Sequence, residues 1–89
     1  MTKGEKRPRC DVLLLNDEET TMEFVILVLE RFFCMSNLEA TTHMGRIHEE
    51  GQAICGTYWC DVAKKKAADV LAFAAEHKHP LRCIVEEAD

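Results

Sequence analysis

Asn16, Asp17, Glu18 and Glu19 interrupt an otherwise apolar passage between Leu13-Leu14-Leu15 and Met22-Glu23-Phe24. Their carbonyl and carboxylate oxygens gather beside apolar surface, a combination suited to a cationic or amide-donating ligand. An acidic turn that merely caps a helix would use the same residue types, and composition alone does not separate the two. His48 adds an acceptor whenever its ring is unprotonated, although a single histidine on an apolar helix face also serves as an ordinary core residue.

The remaining reactive side chains form no recognisable catalytic or metal-binding pattern. His43 and His48 lie five positions apart, about 140° around a helix, so they do not converge on one ion as a pair four apart would. His48-Glu49-Glu50-Gly51 lacks the second histidine of H-E-x-x-H. His77 and His79 flank Lys78 near Glu76, which reads as a charged helix terminus. Cys60 beside Asp61 has no nucleophile–base spacing. Neither catalysis, a metal nor a cofactor is expected.

The five cysteines, Cys10, Cys34, Cys55, Cys60 and Cys83, are odd in number and contain no C-x-x-C pair. This argues against a disulfide framework and a zinc ribbon, and for a reduced, cytoplasmic protein. Cys34, Cys55 and Cys83 sit in apolar runs and are expected in the core, whereas Cys10 and Cys60 are expected to be reachable thiols.

Positioning the acceptor patch requires a folded frame, and 89 residues at 47% apolar content supply one small core. A net charge of -5 argues against general nucleic-acid affinity. No apolar run reaches the roughly 18 residues of a membrane helix, and the polar N-terminus lacks a signal peptide's apolar stretch. Residues 1–9, with Lys3, Lys6, Arg7 and Arg9, read as a disordered tail, and residues 10–89 as the domain.

Val12–Leu15 is a short apolar run expected as a buried strand. Thr20 and Glu23 have capping-box spacing, and Met22, Val25, Ile26, Leu29, Phe32 and Phe33 follow at helical intervals, predicting a helix from Thr21 to Phe33. Ser36 and Glu39 open a second helix that stops at Glu50 before Gly51. Gln52–Tyr58 reads as a strand, Val62 to about His77 as a third helix ahead of the breaker Pro80, and Leu81–Val85 as the last strand. The order β-α-α-β-α-β, with one apolar stripe per helix, requires an α/β two-layer sandwich.

Three blocks give this frame a family likeness. LLLNDEETTMEF resembles the N-D-D-x-T-P-M-E-F segment of ClpS, the bacterial Clp protease adaptor; HMGRIHEEGQAICGTY resembles its M-x-x-V-H-x-x-G-x-x-x-C-G block, and HPLRCIVEEA its H-P-L-x-C ending. The resemblance spans Asp11 to Ala88 and implies a three-stranded antiparallel sheet with helices on one face. It implies recognition of proteins that begin with Leu, Phe, Tyr or Trp, through the free α-amino group and first side chain, and delivery to the ClpA unfoldase.

The positions matching the family's amine site are Asn16, Asp17, Glu18 and His48, with Glu18 replacing the usual Asp. Those matching the pocket walls are Thr20, Met22, Val25, Met44, Ile47 and Leu81, Met44 standing where a gate excludes β-branched residues. Gly45 departs from a bulkier residue, and Trp59 from a helix-capping Thr. Asp61 and Lys66 match the contacts with the unfoldase, while Lys64 and Lys65 depart from the family's usual residues. These departures leave open a paralogue, or an interaction module of the same fold, with an altered substrate range, that modulates the Clp unfoldase without efficient delivery.

Overall fold

The computed structural model describes residues 7–88. Its elements are β1 (Arg9–Leu15), α1 (Met22–Phe33), α2 (Asn37–Glu50), β2 (Gln52–Trp59), α3 (Cys60–Glu76) and β3 (Arg82–Glu87). Most of the tail expected over residues 1–9 lies outside the described residues; Arg9 opens β1.

β1 is a nearly continuous apolar run because it is the central strand, antiparallel to β2 on one side and β3 on the other. Cys10, Val12 and Leu14 point into the helix-covered core with Ala53, Cys55 and Cys83. Leu13, on the alternate face, is buried between its register partners Ile54 and Ile84. The register shifts between Val12 and Leu13, so Cys55 has no opposite number and β2 bulges there. This is the expected two-layer α/β architecture, with three helices over a three-stranded antiparallel sheet.

α1 buries Phe24, Val25, Val28, Leu29 and Phe33 along one stripe. Its cap is Thr21, whose hydroxyl accepts from the Phe24 amide at 3.1 Å, and not the Thr20 that the capping-box spacing favours. Thr20 is drawn away because its own hydroxyl donates to Asp17. α2 carries both halves of the expected box: the Glu39 amide donates to Ser36 Oγ at 3.1 Å, and the Ser36 amide to Glu39 Oε1 at 2.8 Å. It ends at Gly51, whose φ of 90° is the left-handed conformation that glycine adopts without strain.

The cysteines depart from expectation in two ways. Cys34 is exposed, because it terminates α1 in the left-handed region, with φ at 57°, and so leaves the apolar stripe. Cys10 and Cys60 form a disulfide, whereas free thiols were expected. The register places Cys10 opposite Tyr58, two residues before Cys60, and this brings the two Cα atoms to 4.8 Å. Cys55 and Cys83 are buried.

Candidate functional site

Where β1 ends, the chain turns sharply, and one carboxylate makes the turn. Asp17 Oδ1 accepts from the Glu19 amide at 2.8 Å and the Thr20 amide at 2.7 Å, while Oδ2 accepts from the Thr20 hydroxyl at 2.7 Å. Burial acts to raise the pKa of Asp17, but the Thr20 hydroxyl, the Thr20 and Glu19 amides and the charge of His79 outweigh it and hold the carboxyl below its ordinary value. Asp17 therefore stays ionised at neutral pH while using about three of its four acceptor positions inside the chain.

On the far side of the turn, the Asn16 amide donates to the Gly51 carbonyl at 2.9 Å. That bond ties the end of β1 to the C-terminal end of α2, three residues past His48. His79 approaches from the segment before β3, its ring 4.2 Å from that of Phe24. Phe24 also stacks on Phe73 at 5.4 Å, so aromatic packing joins the base of α1 to α3 behind the turn.

These restraints enclose a cavity of about 400 Å³. Asn16, Asp17 and Glu18 from the turn and His48 from α2 form its polar side, with Thr20 beside them. Met22 and Val25 from α1 and Met44 and Ile47 from α2 form its apolar side. Val25 and Ile47 are buried, Met44 is half-buried and His48 exposed, giving a graded passage from core to solvent. Among the described residues, neither the Asn16 side chain nor the His48 ring has an intramolecular hydrogen-bond partner, so both can bond a guest.

All but one of the sequence-predicted recognition residues come together here. The exception is Leu81, which is 4% exposed in the core just ahead of β3 and does not line the cavity. Leu15, the last residue of β1, does line it and was not among the predicted walls. Its place directly before Asn16 is the signal that could have found it.

Asp61 and Lys66 lie apart from this cavity, around a shallow depression of about 330 Å³ shared with Val62, Lys65 and Asp69. Lys66 Nζ sits 5.3 Å over the Tyr58 ring and 6.0 Å from the Phe33 ring centre. Asp61 is paired with Arg7 at 3.1 Å. Among the described residues, no group of three or more His, Cys, Asp or Glu side chains could hold a metal ion, and no helix is long and apolar enough to cross a membrane.

Comparison with known proteins agrees with this geometry. Residues 5–84 match the family described as "ATP-dependent Clp protease adaptor protein ClpS". The ATP-dependent Clp protease adapter protein ClpS of Aromatoleum aromaticum is 48% identical over 86 residues, covering 97% of this chain and 84% of the relative. That of Hyphomonas neptunium is 50% identical over 87 residues, covering 98% of this chain and 74% of the relative. Agrobacterium tumefaciens ClpS2 bound to L-phenylalaninamide superposes with a TM-score of 0.89 at 32% identity, covering 92% of this chain and 99% of that one. Sequence blocks, sheet order and near-complete coverage thus converge, and the chain belongs to the ClpS family of Clp protease adaptors.

Proposed function

We propose that this protein is an N-degron adaptor: it captures substrates by their free α-amino group and bulky hydrophobic first side chain, and delivers them to a ClpA-type unfoldase in the cytoplasm. It recognises and hands over, and catalyses nothing itself. The observation that carries this reading is the joining, in one cavity, of the Asn16 and His48 acceptors, neither of them paired among the described residues, with apolar walls at Met22, Val25, Met44 and Ile47.

The ligand of the Agrobacterium relative, L-phenylalaninamide, has the matching chemistry: a free α-amine, a benzyl side chain and a carboxamide in place of the next peptide bond. In this chain an ammonium seated at the turn would donate to the Asn16 amide oxygen and an unprotonated His48 nitrogen, with Glu18 at the cavity edge. Asp17, occupied by the turn, would contribute negative charge more than direct contact. Hydrogen bonds to a charged group contribute about 1.5–3 kcal/mol each, and burying a large apolar side chain about 1.5–3 kcal/mol.

Fluorescence anisotropy with peptides beginning Leu, Phe, Tyr or Trp tests this. The free peptides should bind, and N-acetylated versions should not, because acetylation removes the charge and donors and leaves the acceptors unpaired. Equal affinity for both forms would rule the reading out.

A second reading, an adaptor with altered substrate range, is favoured by Gly45. A Cβ there would meet nothing within 4 Å, so the surface beside Met44 is open. A peptide array varying the first residue separates the two: binding confined to Leu, Phe, Tyr and Trp supports the first, and a broader set the second.

A further inference from the structure

The Cys10–Cys60 bond spans a sequence separation of 50 and joins the second residue of the central strand to the first residue of α3. That end of the helix follows directly on β2 and buries Ala63, but its polar restraints are few: the Val62 amide donates to Asp61 Oδ1 at 3.0 Å. Trp59 occupies the cap position without a side-chain hydrogen bond, where an ordinary cap satisfies an orphan amide of the first turn. The Cys60 amide donates instead to the Pro8 carbonyl at 3.0 Å. Arg7 reaches Asp61 at 3.1 Å and lies 4.6 Å over the Trp59 ring. Both members of that ion pair are more than half exposed, at 53% and 75%, so water and salt leave it weak. The covalent bond is the strongest restraint on the first turn of α3, and Asp61 and Val62 on that turn line the depression that also holds Lys66.

Access to the bond is one-sided. Cys10 is 4% exposed and Cys60 half-buried, so an incoming thiolate meets the Cys60 sulfur and expels Cys10.

We propose that Cys10 and Cys60 form a reversible thiol–disulfide switch under the unfoldase-docking surface, whose closed form orders the first turn of α3 for docking. Opening consumes two molecules of a small thiol. The first bonds to the Cys60 sulfur as the protein S–S bond breaks, and Cys10 leaves as a thiolate that takes up a proton. The second attacks the mixed disulfide, freeing the Cys60 thiol and releasing the small molecule as its own disulfide. Two electrons pass to the protein; closure by a low-molecular-weight disulfide is the reverse. The inference rests on the reading that Asp61 and Lys66 dock the unfoldase.

The test uses the full chain with Cys34→Ser, which removes the exposed thiol, equilibrated across ratios of reduced to oxidised glutathione. Mass spectrometry of unreduced digests should follow the Cys10–Cys60 bond through one two-electron transition. Across it, amide exchange at Lys64–Ala67, whose amides donate to the carbonyls of Cys60–Ala63 in that turn, should slow at least tenfold on oxidation. Affinity for the ClpA N-terminal domain should rise at least threefold, and affinity for a Phe-initiated peptide should stay unchanged. Adding Cys60→Ser should hold exchange and docking at their reduced values at every ratio. Absence of the bond throughout, or exchange indifferent to it, overturns the switch. Docking of equal strength in both states overturns the switch alone; docking in neither overturns the reading of Asp61 and Lys66 beneath it.

Discussion

The backbone amide of Asn16 donates to the carbonyl of Gly51 at 2.9 Å, so the residue that ends α2 also fixes the residue that opens the turn beside the cavity. The separation between the Asn16 side chain and His48 is thereby set by a helix terminus. Two acceptors held by a rigid frame lose little freedom on meeting a donor, so under the proposed function the frame would favour selective capture of an ammonium.

Gly51→Ala tests the coupling. At a φ of 90° an alanine is strained, at a cost of about 1–2 kcal/mol, and relief of that strain shifts the carbonyl that holds Asn16. Urea denaturation should show the stability loss, and affinity for a Phe-initiated peptide should fall as well. Lost stability with full affinity would mean that the turn does not depend on the helix end.

Asp17 gives a pH dependence of defined sign. Its carboxyl is held below its ordinary value in the folded protein, so folding favours the ionised form. The resulting stability is complete above the unfolded-state value, about 3.9, and is lost as pH falls through the lower folded value. Asp17→Asn should cost about 1 kcal/mol at neutral pH. In urea melts from pH 7 down to 2, its deficit against the parent should hold constant to about pH 5 and then shrink. A deficit independent of pH would show that the charge of Asp17 contributes nothing.

Elements with strong local signals were legible without coordinates. The Ser36–Glu39 box, the Gly51 stop and the apolar stripe of α1 each follow from residues a few positions apart, where propensity and burial agree. What escaped was set by long-range register or by competition between neighbours. The Cys10–Cys60 pairing follows from how β1 lies against β2, which no local spacing encodes, and an odd cysteine count argued the other way. Thr21 displaced Thr20 as the cap because Asp17 claims the Thr20 hydroxyl. Leu81 has a pocket-wall type of side chain, but the path of the chain into β3 turns it into the core. Asn16, Asp17 and Glu18 were legible as part of an unusual acceptor patch beside an apolar strand, whereas His48 and the apolar half of the cavity were legible only through likeness to a family.

The three free cysteines should separate by reactivity. Burial pushes the Cys55 thiol up to about 12 and the Cys83 thiol to about 11, so at pH 8 no more than about 0.1% of either is thiolate. Cys34 is exposed at the end of α1. Iodoacetamide labelling followed by peptide mass spectrometry should modify Cys34 first, with Cys55 and Cys83 slower by at least about 100-fold. Comparable rates at all three would mean that the core opens far more often than its packing implies.

Docking at α3 should depend on the Lys66 charge separately from its packing. The ammonium lies over the Tyr58 ring at 5.3 Å, an arrangement worth about 0.5–1 kcal/mol when exposed. Lys66→Met keeps an apolar stem and removes the charge. Affinity for the ClpA N-terminal domain should fall several-fold and lose part of its salt dependence, with peptide binding unchanged. An unaltered salt dependence would place Lys66 outside the interface.

Met44 and Gly45 are neighbours in sequence with opposite expected effects. Met44 is half-buried and lines the apolar side of the cavity, so Met44→Ala enlarges that side, and under the proposed function this should make room for a β-branched first residue. Peptides beginning Ile or Val should then gain relative to Leu by about 1–3 kcal/mol, the range in which apolar pockets discriminate single groups. Gly45→Ala adds a Cβ that meets nothing within 4 Å, so the fold should accept it and gain about 0.5–1 kcal/mol from helix propensity alone. Its peptide preferences should match the parent's, because Gly45 does not line the cavity. Calorimetric melting and a first-residue peptide array on both variants separate the two effects. If Gly45→Ala narrows the range of accepted residues, the open surface beside Met44 is part of the recognition site; if Met44→Ala leaves preferences untouched, Met44 does not set them.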